Sequence, residues 1–120
     1  MGPLAAFSAK IEMAYLLRIA TIECKQVMHI VRHVRNEFAH NPEPITFETP
    51  RIKDMCSHLI KQRDARQFMV EQLSVELNPE TIPELLDRMG PKIVADNPSG
   101  RDMYINTVKI ISFCFAVGIS

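Results

Sequence analysis

Tryptophan is absent from this chain, glycine occurs only four times, and charge of neither sign prevails. The glycines form no phosphate-cradling loop, which excludes a P-loop or a dinucleotide fingerprint. Fourteen Lys and Arg cancel fourteen Asp and Glu, so a globally basic nucleic-acid binder is disfavoured and only a local basic patch stays open. Cysteine is scarce and odd in number: Cys24, Cys56 and Cys114 lie far apart and form no C-x-x-C. That excludes a disulfide scaffold and a four-cysteine zinc site. The opening Met1-Gly2-Pro3-Leu4 reaches Lys10 and Glu12 without an apolar leader. The greasiest stretch, Tyr104 to Ile119, is interrupted by Asn106, Lys109 and Ser112 and falls short of the roughly 20 residues of a bilayer span. The expectation is a soluble cytoplasmic protein that uses no membrane.

What remains is a chain of 120 residues with 47% apolar and 23% charged side chains, enough for one core and too little for two. The pattern is helical. Leu4, Phe7, Ile11, Ala14, Tyr15 and Arg18 recur at spacings of three and four, which predicts a first helix from about residue 4 to 21. Cys24, Val27, Met28, Val31, Val34 and Phe38 share one face of a second, 22–40, which Asn41-Pro42-Glu43-Pro44 stops. Ile45 to Thr49 reads as a short extended piece. Thr49 then caps a third helix with Pro50 at its first position, and Ile52, Met55, Cys56, Leu59 and Ile60 form its stripe.

From Asp64 to Leu77 the spacing of Phe68, Val70, Leu73, Val75 and Leu77 mixes periods, and a helix is the assignment. Thr81 caps a short amphipathic turn through Met89, ended by Gly90-Pro91. Asp96 to Gly100 is a loop, and Arg101 to about Gly118 is the last and most apolar helix. Nothing alternates at period two for long. The fold class is all-α, one multi-helical domain of about four to six helices over residues 1–120. Its core is expected to pack the first, second and last helices, closed by the third. Met13, Met28, Met55, Met69, Met89 and Met103 read as core filler, and the three cysteines as small buried hydrophobes.

Three segments resemble a known family. Gly2-Pro3-Leu4-Ala5-Ala6-Phe7-Ser8-Ala9-Lys10-Ile11-Glu12-Met13-Ala14-Tyr15 is similar to the opening block of the bacterial mannitol operon repressor family. Arg35-Asn36-Glu37-Phe38-Ala39-His40 is similar to its second hallmark, an R-N-x-F-A-H helix end, and Arg101 to Lys109 looks like its last helix. The motif residues are Phe7, Ser8, Lys10, Tyr15, Arg35, Asn36, Phe38 and His40. Members carry a helix before the G-P-L block, and Leu16-Leu17-Arg18-Ile19 replaces the glycine-containing bend of the family. The resemblance implies a helical co-repressor of a sugar-alcohol operon that acts through a protein partner, with a DNA-binding regulator as one class of partner; a homodimer is a separate expectation.

Direct sequence-specific DNA reading is not expected. A helix-turn-helix needs a three- or four-residue turn, whereas Pro-Glu-Pro and a nine-residue loop separate the second and third helices. The same helix end also resembles the R-N-x-x-x-H signature of HEPN domains, which include metal-independent RNases. In that alternative Arg35, Asn36 and His40 are the catalytic set, His40 moving a proton and Arg35 stabilising phosphorane charge. The bland reading makes Arg35 a half-buried pin beside Met28, Val31 and Phe38, bonded to Glu12, Glu37 or loop carbonyls. On the other side of the second helix His29, His33, Asn36 and His40 lie within about 60° and form a candidate partner surface. No metal and no cofactor is expected, and no enzyme class is assigned.

Overall fold

Helices account for every regular element of the computed structural model among the described residues. It describes the backbone of residues 3–17, 19–94 and 96–119 and the side chains of 8–17, 19–94 and 96–117. In chain order these are α1 (Pro3–Leu16), α2 (Ile22–His40), α3 (Pro50–Cys56), α4 (Gln62–Leu73), a 3-10 turn at Pro79–Thr81, α5 (Ile82–Met89) and α6 (Gly100–Ile119). None of the described helices is long and apolar enough to cross a membrane.

The first helix is shorter than its apolar pattern suggests. After Leu16 the Ala14 carbonyl accepts from both Ile19 N–H (2.9 Å) and Ala20 N–H (3.2 Å), which closes the helix. Thr21 then caps α2, its Oγ1 accepting from Cys24 N–H at 3.1 Å. Arg18, the residue that argued for continuity, lies outside the described residues. The expected extended piece at 45–49 is a turn, with Thr49 N–H donating to Thr46 O at 3.1 Å. Thr49 stands at the N-cap of α3 as expected, but its hydroxyl accepts from Thr46 N–H instead of capping. Likewise Thr81 does not cap α5 with its side chain. Asn78 caps the preceding 3-10 turn through Glu80 N–H. At α6 Ser99 and Asp102 exchange side-chain bonds with each other's backbone N–H, both at 3.1 Å, a reciprocal cap that holds the Asp102 carboxyl below its usual range.

The stripes of the second and third helices are buried as expected, but the set of helices that shares the core differs. Val27, Val31 and Val34 of α2 meet Ile52 and Cys56 of α3, Leu59 and Ile60 of the next link, and Ala65, Met69 and Leu73 of α4. Ile82 and Leu86 of α5 and Ile110 and Cys114 of α6 complete it. Among the described residues, α1 stands outside this cluster and packs on α2, with Ile11 buried. The methionines also divide: Met69 is buried, whereas Met13 and Met89 are exposed.

Three buried polar side chains organise the links between helices. Gln72 of α4, 5% exposed, donates from Nε2 to Ile19 O (2.7 Å) and accepts at Oε1 from Thr21 N–H (2.9 Å), clamping the α1–α2 link. Asn106 of α6, 2% exposed, makes the same two-bond clamp on Val94, with both bonds at 2.9 Å. Thr107 Oγ1 accepts from Ile60 N–H at 3.2 Å. Each satisfies backbone groups that no helix ladder can reach, as burial demands.

Candidate functional site

α2 ends at His40 because Asn41 precedes Pro42 and takes an extended conformation (φ −76°, ψ 123°). Its N–H still donates to Glu37 O at 3.1 Å, and its Oδ1 accepts from Glu43 N–H at 2.9 Å, starting the loop. The helix end is tied to α3 by Glu37, whose carboxylate lies 2.6 Å from Arg51 Nη2. Arg35 is exposed. Beside it, core residue Val31 and half-buried Met28 form part of the floor of an open groove. Glu12, its expected partner, is held by His29 Nε2 at 2.8 Å and Lys25 Nζ at 3.1 Å. The half-burial expected of Arg35 is therefore corrected: it is exposed on a groove wall.

The other sequence-derived residues scatter. Five positions of helix turn Arg35 and His40 about 140° apart around α2, whereas Asn36 and His40 stay within about 40°. One protomer thus brings Asn36 and His40 to one side and leaves Arg35 on another. His33 and His40 are exposed and Asn36 is half-buried. His29 is not bare surface: it is half-buried against α1, donating to Glu12, and the Glu12 carboxyl sits below its ordinary range because Lys25 and then His29 bond it. The proposed stripe of His29, His33, Asn36 and His40 therefore starts inside a helix contact and ends in solvent. Tyr15 lies under Lys25, whose Nζ is 4.5 Å from the ring centroid. Lys10 is exposed, Ser8 is half-buried, and the Phe7 side chain lies outside the described residues.

What the fold does assemble is a groove of about 330 Å³ between α2 and α6, lined by Met28, Val31, Arg35, Tyr104, Val108, Ile111 and Ser112. Its lining is mainly apolar, with Arg35 as the charged member. Phe38, Phe47 and Tyr104 stack in sequence beside it, with ring centroids 4.9 and 5.6 Å apart. Phe38, expected in the core, is therefore partly exposed and packs on the loop's Phe47. Burial pushes the Tyr104 hydroxyl above its ordinary range and the charge of Arg35 opposes that shift. The α6 wall was missed in the sequence. Tyr104, Val108 and Ile111 recur at four and three, a second stripe on a helix already assigned wholly to the core.

Comparison with family models, curated proteins and solved structures finds no match. Among the described residues no three His, Cys, Asp or Glu side chains converge as metal ligands. The three cysteines are free and buried. Burial pushes the Cys24 and Cys114 thiols up to about 12, with Cys114 adding to the shift at Cys24, and raises Cys56.

A pH dependence follows. The unfolded thiols ionise near 9.0, so between that value and about 12 the unfolded chain holds fewer protons than the folded one. Stability is then intact below about pH 9 and lost above it. Urea midpoints are expected to fall between about pH 8 and pH 10, and all three thiols to resist a colourimetric disulfide reagent until the chain unfolds. Rapid labelling of the native protein would contradict this.

Proposed function

We propose that this chain is a non-enzymatic regulator of transcription that works by holding a protein partner. The observation that carries it is the apolar groove between α2 and α6, with Arg35 on its wall. Such a groove suits an amphipathic helix laid lengthwise, with an acidic residue set to meet the guanidinium. The likeness of residues 2–15 and 30–40 to the mannitol operon repressor family supplies the context, control of a sugar-alcohol operon. The charge layout supports partner-mediated action over DNA reading. Lys25, Arg51, Arg66 and Arg88 lie within 3.2 Å of Glu12, Glu37, Asp87 and Glu84 respectively, so part of the basic charge is paired locally.

The experiment compares wild type with Val108→Glu, which places a charge in the groove at a position already exposed. Wild type is expected to co-purify from its host with a DNA-binding protein that the variant loses. Pure protein alone is expected to bind operator and random duplex equally weakly, with binding that fades steeply as salt rises. Sequence-specific binding at physiological salt would overturn the reading. RNA cleavage in chelator that His40→Ala abolishes would replace it with the ribonuclease alternative.

A further inference from the structure

α1 carries only two charges, Lys10 and Glu12, in its fourteen residues. A helix that is apolar all round is ordinarily buried all round. Among the described residues, however, α1 packs substantially on α2 alone. On the described part of its other side, Met13 is 55% exposed, Leu16 72% and Leu17 62%. These fall at i, i+3 and i+4, one helix face. Ile22 and Val75 extend the patch, since Leu16, Ile22 and Val75 surround one shallow depression with Tyr15, Ala20 and Thr21. Glu12 does not break the face, because it is engaged by Lys25 and His29 of α2.

The surface area points the same way. A compact monomer of 13.7 kDa exposes about 6,600 Å². This chain exposes 7709 Å², roughly 1,100 Å² more than that scaling gives. A dimer interface of ordinary size removes about 800 Å² from each partner, so one such interface would absorb most of the excess. The radius of gyration, 14.9 Å, likewise exceeds the roughly 13.6 Å of a compact domain this long.

We propose that two copies of this chain pair through the outer face of α1, the helices running antiparallel about a two-fold axis. A single patch suffices for such an interface because a two-fold places it against itself. Its rim is suited to self-pairing. Lys10 is exposed at one end, and Glu23 and Glu76 at the other, beside Ile22 and Val75. An antiparallel two-fold brings opposite charges together at both ends. With no net charge, the two copies do not repel as bodies.

Sedimentation velocity, or size exclusion with light scattering, tests this on the full chain at ~100 µM, where a micromolar Kd leaves mostly dimer. Wild type is expected at twice the chain mass. Leu16→Glu with Leu17→Glu is expected to be monomeric with an unchanged helical spectrum. Val75→Arg, which leaves α1 intact, is expected to weaken pairing at least tenfold. Val108→Glu, in the α2–α6 groove, is expected to leave the dimer unchanged, which separates this proposal from the groove's role. A monomeric wild type, a dimer that survives the charges at positions 16, 17 or 75, or a dimer lost in Val108→Glu would each overturn it.

Discussion

Asn106→Asp is expected to cost the fold about 3–5 kcal/mol at neutral pH. That is a large share of the roughly 5–15 kcal/mol that holds a domain together. Asn106 is 2% exposed, and its amide donates to Val94 O while accepting from Val94 N–H. The substitution keeps the acceptor but replaces the donor by a second oxygen facing the Val94 carbonyl. It also buries a carboxylate without a cation. The new carboxyl therefore titrates above its unfolded value, and the folded chain binds more protons as the pH falls. Stability is lost as pH rises through the unfolded carboxylate range and partly returns in acid, where the protonated carboxyl can donate to Val94 O. Urea melts at about pH 7 and pH 5 check both parts. A wild-type midpoint at neutral pH would show that the link rehydrates and that the clamp contributes little.

Gln72→Met is expected to lose about 2–4 kcal/mol, although the side chain keeps nearly the same length and apolar character is gained. The reason is what it leaves behind. Ile19 O and Thr21 N–H both lose their partner in a part-buried link, and Met can neither donate nor accept well there. The damage should also be local. Thr21 N–H is expected to exchange with solvent much faster in the variant, while Val94 N–H, held by Asn106, keeps its protection. Amide exchange followed by NMR separates the two. Equal exchange at Thr21 in both proteins would sink the idea that Gln72 holds the α1–α2 bend.

The helix positions were largely legible in the sequence, and the reason is periodicity. Cys24, Val27, Val31 and Val34 mark α2 unambiguously because all four are apolar and all four are buried. α4 was obscure for the opposite reason. The apolar residues that attracted attention there, Phe68, Val70, Val75 and Leu77, are half-buried or exposed. Its buried face is Ala65, Met69, Gln72 and Leu73. An alanine and a glutamine carry little hydrophobic signal, and a glutamine that serves a distant link leaves no mark at helical spacing. α1 shows a third limit. Its stripe located Ile11 correctly, but a helix rich in apolar residues on every side does not announce which side stays uncovered. At the candidate site, the wheel placed Arg35 beside Met28 and Val31 rightly. What it lacked was the groove itself: Val31 is buried as expected, but Arg35 stands exposed on an open wall beside it.

The polar clamps decide how the molecule can come apart. Gln72 reaches from α4 to the link between α1 and α2, and Thr107 reaches from α6 to the link between α3 and α4. Asn106, one residue before Thr107, holds the approach to its own helix. Connections in small helical proteins commonly open first, each on its own. Here the links at Ile19–Thr21, Ile60 and Val94 are bonded to helix interiors, two of them to neighbouring residues of α6. Releasing α6 frees two links at once, and freeing the bend before α2 requires α4 to give way. Opening at these three links is thereby coupled to the helices that grip them, and none of the three is free to act as a hinge by itself.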